Sequence, residues 1–203
     1  MASADCYDTA TFPDISLPYT TSAMSDAHPV SRSMVSESLH GIVQQWALRT
    51  PEGIAVAAPG RAPLTYRRLL DRVDAVVQAL DAHGIARDDR VAISLPNGPE
   101  MAVAFLGVAA ASCCAPLNPA YRESEVAAHL AHLRARALIV EVDSETVARS
   151  AAESLDIPVI ALSARLQSPA GVFELEGSPI VSGATQRRAA GADDIALVLH
   201  TSG

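Results

Sequence analysis

The residues with the clearest chemical potential stand at the end of the sequence. An apolar run from Ile195 to Leu199 leads into His200-Thr201-Ser202-Gly203. Ligands of open α/β sheets bind beyond the carboxyl ends of strands, so small hydrogen-bonding residues after such a run are well placed. The chemistry they suit is phosphate binding. Hydroxyls donate hydrogen bonds, glycine lets the backbone approach closely, and successive N–H groups form a concave anion site. Three small polar residues after a strand also make a plain turn, and the tripeptide alone does not decide between the two readings. His200 reads as an imidazole beside the loop, because no partner in the sequence would make it a base.

Other reactive side chains are sparse. Cys113 and Cys114 are neighbours, so a structural bridge between them is not expected, and with Cys6 near the start they fit a reducing compartment. His129 and His132 lie three apart on a predicted helix and lack a third ligand, so they read as helix-surface histidines. No metal ligand and no catalytic residue is assigned. Fifteen basic residues face 23 acidic ones for a net charge of −8, and every base is arginine. That balance, with 4% aromatics, leaves no footprint for nucleic acid, whose binding needs phosphate neutralisation. Anionic membrane surfaces are disfavoured for the same reason.

The elements that must position the final loop follow from periodicity. Residues 1–36 are rich in Ser, Thr, Asp and Pro without an apolar signal core, and read as a disordered tail. From residue 37 the chain becomes regular. Leu39, Ile42, Val43 and Trp46 mark a helix capped by Ser36 or Ser38 and stopped at Thr50-Pro51. Ala55 to Ala58 reads as a strand. Tyr66, Leu69, Leu70, Val73, Val77 and Leu80 define the clearest helix, with Thr65 as N-cap and Gly84 as its left-handed stop. Arg90 to Leu95 is a strand ending at Pro96-Asn97-Gly98, after which Pro99 and Glu100 open a helix that is apolar nearly all round.

Met101 to Tyr121 carries no charge over a length that could span a membrane, but Gly107, Ser112, Pro116, Asn118 and Pro119 interrupt it. It reads as a buried helix followed by a buried strand, Cys113 to Leu117. Glu123 to Leu133 is a helix and Leu138 to Val142 a strand, then Asp143 or Ser144 caps a short helix. Val159 to Leu162 and Val172 to Leu175 are further strands. A Gly/Ser/Ala-rich linker from Gly177 to Ala192 precedes Asp193-Asp194. This alternation predicts an α/β fold with a doubly wound, mainly parallel sheet.

Five stretches, in order, then resemble the adenylate-forming (AMP-binding) superfamily, which includes acyl-CoA synthetases and peptide-synthetase adenylation domains. They are Leu64-Thr65-Tyr66 with Leu69, Gly84-Ile85 with Asp89-Arg90-Val91-Ala92-Ile93, and Leu95-Pro96-Asn97 with Glu100. Ala115-Pro116-Leu117-Asn118-Pro119-Ala120-Tyr121 with Glu125 follows, and Asp193-Asp194-Ile195-Ala196-Leu197 runs on to Thr201-Ser202-Gly203. Each stretch alone has a structural explanation in packing, turns or solvated loops. "APLNPAY" and "LHTSG" lean toward the oxalate-CoA ligase-like acyl-CoA synthetases.

The resemblance implies a two-step ligation. A carboxylate and Mg-ATP give an acyl-adenylate and pyrophosphate, and coenzyme A then displaces AMP. Thr201, Ser202 and Gly203 map onto the family's nucleotide-phosphate loop. On this reading residues 37–203 are an incomplete N-terminal portion of the enzyme's large domain, truncated inside that loop. The magnesium ligand, the acyl pocket and both family lysines would lie beyond Gly203. The isolated chain is therefore expected to be inactive, and poorly soluble through the uncovered faces of Glu100 to Leu117. A cytoplasmic location is expected, or a peroxisomal one if a C-terminal signal exists. Two alternatives stand beside it: a short non-catalytic protein with an interaction role, and part of a peptide-synthetase adenylation domain. A Rossmann dinucleotide site is disfavoured, since no G-x-G-x-x-G follows any strand.

Overall fold

The computed structural model describes residues 38–143, 146–177 and 190–199. Helix α1 (Leu39–Arg49) starts where the Ser38 hydroxyl accepts a hydrogen bond from the Gly41 amide at 3.1 Å. Strands β1 (Ile54–Val56) and β2 (Leu64–Thr65) pair antiparallel as a small separate sheet. The next element, α2 (Tyr66–Ala82), is capped by the Thr65 hydroxyl, buries Leu69, Val73, Val76 and Leu80, and ends before Gly84 at φ +79°.

Five further strands form the main sheet: β3 (Arg90–Ser94), β4 (Cys113–Pro116), β5 (Ala137–Glu141), β6 (Val159–Ala164) and β7 (Phe173–Glu176). Their order is β4-β3-β5-β6-β7, with the first four parallel and β7 antiparallel at the edge. Helices α3 (Pro99–Ala111), α4 (Glu123–Leu133) and α5 (Val147–Ser154) supply the crossovers that parallel neighbours require.

Alternation along the strands feeds two cores. Val91, Ile93, Ala137 and Ile139 point into a cluster shared with α1, α2 and α3. Ala92, Leu138 and Val140 point the other way, into a cluster with α4 and α5. Burial on both faces explains why these strands read as continuous apolar runs, and it makes the sheet doubly wound, as expected.

Three sequence expectations are refined. The cap of α5 is Thr146, whose hydroxyl accepts from the Arg149 amide at 3.3 Å, in place of Asp143 or Ser144. Residues 195–199 contribute one parallel bridge, Cys114 opposite Leu197, where a full strand was expected. The Gly177 to Ala192 linker lies largely outside the described residues, as does the tail. Finally, α3 does not lack cover: Val103, Ala104, Gly107, Val108, Ala109 and Ala110 are buried. The run from Met101 to Tyr121 is a helix and a strand, and no described helix is long and apolar enough to cross a membrane.

Cover for α3 comes from close approach to α2. A Cβ on Gly107 would stand 2.5 Å from the Val76 Cβ and 2.7 Å from its Cγ1, so only glycine admits this helix spacing. Gly107→Ala should therefore destabilise by about 1–3 kcal/mol through overpacking, although alanine gains about 1 kcal/mol in helix propensity. Val76→Ala in the same chain should restore part of the loss. Urea unfolding midpoints measure both effects, and an unchanged or raised midpoint for the single variant would contradict the packing.

Candidate functional site

All four parallel strands run the same way, so the loops after β3, β4, β5 and β6 gather at one edge of the sheet. The chain leaves β3 for β4 on one side and returns through α4 to β5 on the other. Strand order thus reverses beside β3, the position where doubly wound sheets open a ligand crevice.

The segment 190–199 joins this edge through a chain of specific bonds. The Ala190 amide donates to the Ala110 carbonyl at 3.1 Å, at the end of α3. Asp194 accepts from the Gly191 amide at 2.7 Å and pairs with Arg87 at 3.2 Å. The Cys114 amide then donates to the Ala196 carbonyl at 2.9 Å, and the Val198 amide donates to the Cys114 carbonyl at 3.0 Å. Because this bridge is parallel, the chain at Leu199 heads toward the edge where Asn97 and Asn118 stand. His200, Thr201, Ser202 and Gly203 lie outside the described residues.

The other motif residues have structural roles and contribute no reactive group. Asn118 accepts from the Ala120 amide at 2.9 Å and so turns the chain after β4. Tyr121 stacks on His129 at 5.1 Å between ring centroids. Glu125 accepts from the Arg122 amide at 2.8 Å as half of a capping box for α4. Asp89 accepts from the Ala86 amide at 2.8 Å, closing the turn into β3. Tyr66 stacks against Trp46 at 5.5 Å, which fits a packing role. Among the described residues no group of three or more His, Cys, Asp or Glu could hold a metal ion.

Arg61 is the organising residue that sequence reading missed. Its guanidinium pairs with Glu100 in the first turn of α3 and also donates to the carbonyls of Arg165, Ser168 and Pro169. The pair is largely buried, with side-chain exposures of 12% and 18%. Glu100 therefore faces a guanidinium as well as the N-terminus of α3. Nearby, the Ala170 amide donates to the Ala62 carbonyl at 2.9 Å. Gly171 adopts φ +83°, where a Cβ would come within 2.5 Å of Val103. One cation thus fastens the loop after β6 to the start of α3. Its only sequence signal is a lone arginine beside a Pro-Gly turn.

The architecture is that of a doubly wound α/β domain with its loops collected at the carboxyl edge. The family described as AMP-binding enzyme matches residues 43–203, and the chain belongs to that family. It is 31% identical over 173 residues to oxalate–CoA ligase of Arabidopsis thaliana, covering 84% of this chain and 34% of the ligase. It is 35% identical over 166 residues to the AMB antimetabolite synthetase AmbB of Pseudomonas aeruginosa, covering 81% of this chain and 12% of the synthetase. Among solved structures, apo MatB from Rhodopseudomonas palustris superposes with a TM-score of 0.64 at 26% identity, over 84% of this chain and 33% of that one. The chain thus spans about a third of the oxalate–CoA ligase it matches.

The two described cysteines are free and buried, and neither is set up as a nucleophile. Burial pushes the Cys114 thiol up to about 12 from an ordinary 9.0, with the neighbouring Cys113 adding to the rise. Burial raises Cys113 as well, and Arg90 opposes it. Cys114 should therefore resist iodoacetamide at pH 8 in the native chain and react on unfolding in urea, mapped by mass spectrometry. An unfolded thiol releases its proton near 9.0 while the folded one keeps it to about 12. The unfolded state then binds fewer protons, so this contribution to stability is intact below 9 and is lost as pH rises toward 12. Native labelling of Cys114 at the unfolded rate would contradict this environment.

Proposed function

We propose that this chain supplies the N-terminal part of an ATP-dependent acyl-CoA ligase of the oxalate–CoA ligase-like type, with Thr201, Ser202 and Gly203 opening its phosphate loop. The observation that carries the reading is the parallel bridge at Cys114, which aims Leu199 toward the carboxyl edge two residues before Thr201. The 31% identity to oxalate–CoA ligase favours a carboxylate as acyl substrate and coenzyme A as acceptor. On this reading residues 37–203 form part of the AMP-binding domain and residues 1–36 precede it. The enzyme works in the cytoplasm, or in peroxisomes if a C-terminal address follows.

The residues fit a phosphate better than a metal. Two hydroxyls and a glycine after a bridged segment make hydrogen-bond donors and a close backbone approach. The described acidic side chains are spread through caps and ion pairs, so magnesium ligands are assigned to other residues of the enzyme. ATP, when bound, supplies an activated phosphoryl centre for the carboxylate. The chain's own contribution is to hold the departing phosphates with fixed donors while negative charge builds on them. The sequence has no lysine, and its last base is Arg188. Any ammonium that neutralises that charge must come from outside these residues.

A second reading, adenylation of an amino acid in a peptide synthetase, is favoured by the 35% identity to the AmbB synthetase. Pyrophosphate exchange into ATP separates the two. The polypeptide carrying this sequence, isolated from its source cell and sized by mass spectrometry, should exchange with oxalate or a medium-chain acid and release a CoA thioester. Exchange with amino acids alone would replace the first reading with the second. The 203-residue chain by itself should give no exchange, and turnover by it would overturn the proposal. A source-cell product that ends at Gly203, folded and inactive, would point instead to a non-catalytic interaction role.

A further inference from the structure

The sheet has an open edge on the side opposite β4. β7 is its last strand, and among the described residues nothing pairs with the outer side of that strand. A cavity of about 300 Å³ lies between β7 and α2, and a second of about 310 Å³ adjoins it between α2 and the loop that leads into β7; both are lined by Arg72. Ala75, Val76 and Ala79 of α2 face Phe173 and Leu175 across this groove, giving it an apolar middle with short side chains.

The two ends of the groove differ in charge. Arg68 and Arg72 stand with Asp71 and Ser168 at the end where β7 begins, and Glu174 and Glu176 stand on β7 toward its finish. Arg68 and Glu176 are exposed, and neither belongs to an ion pair among the described residues. Glu174 differs, because Arg165 pairs with it and Arg72 lies close enough to favour its charged form.

We infer that a second copy of this chain docks here, with the two β7 strands antiparallel about a two-fold axis and the two sheets joined into one. A two-fold axis exchanges the ends of the groove. Glu176 of each copy is carried toward the partner's Arg68, so one self-complementary surface matches unlike charges twice. The apolar middle meets its own copy at the axis. Edge strands that are short and charged discourage arbitrary strand pairing, and β7 has four residues with two glutamates. A partner that brings an arginine to the unpaired glutamate meets that barrier. An anionic membrane does not, and a small ligand would find no buried polar side chain among the groove residues.

Sedimentation velocity of the 203-residue chain at low salt, from about 1 to 200 µM, tests the inference in the affinity range of small interfaces. The expected result is a reversible dimer. Glu176→Arg and Arg68→Glu should each weaken it about tenfold, since symmetry doubles each lost contact, while the double exchange R68E/E176R should return it to within about threefold. Thermal melts confirm that these exposed substitutions leave the fold intact. A monomer at every concentration would overturn the inference, including a monomer whose β7 amides are protected by the chain's own residues. So would a dimer indifferent to both single variants, or one that the double exchange fails to restore.

Discussion

Two backbone hydrogen bonds made by Cys114 set the direction in which the chain runs at Leu199. They seat Ala196 and Val198 beside β4, parallel to it. Had the segment docked antiparallel, the chain at Leu199 would head for the amino edge, away from the turns after β3 and β4. The seat is reinforced on both sides of the bridge. Arg87 holds Asp194, and Ala190 is fastened to the last turn of α3. Cys114 itself is fully buried, so its amide and carbonyl have no water to turn to and must find these partners.

The bridge works only if β4 is itself fixed, and that follows from α3. A helix apolar on all sides has no solvated face to offer, so it is buried between the sheet and α2. The glycine at position 107 allows the spacing, and the Arg61 cluster sets where the helix begins. Because the same guanidinium holds carbonyls after β6, it ties the loops after β3 and β6 into one rim. Removing either partner of such a buried pair leaves an uncompensated charge, which makes Arg61 and Glu100 a structural unit.

Much of this was legible in the residues. Helix α2 announced itself through its apolar spacing, its threonine cap and its glycine stop, because helix ends and faces are local matters. The parallel sheet followed from alternation, since apolar strands separated by helices leave few other arrangements. What local pattern does not encode is partner choice. β7 reads like any other short strand, yet it runs antiparallel because its short connection from β6 allows a reversal without a crossover helix. Arg61 sits in a turn with no periodicity, and four of its five contacts are to carbonyls of a loop more than a hundred residues away, the fifth being to Glu100 of α3. Glu125 was legible as a family match, but its capping role emerges only from the geometry of the α4 start. Thr201, Ser202 and Gly203 were legible by type and order, and the proposed role depends on the single parallel bridge at Leu197 that directs the chain before them.

That delivery can be tested directly by NMR on the ¹⁵N,¹³C-labelled chain. The account predicts slow exchange for the Cys114 and Val198 amides, together with cross-strand contacts that place Leu197 opposite Cys114 in parallel register. Exchange of both amides at unprotected rates, or contacts in antiparallel register, would contradict it and remove the basis for placing a phosphate loop at this edge.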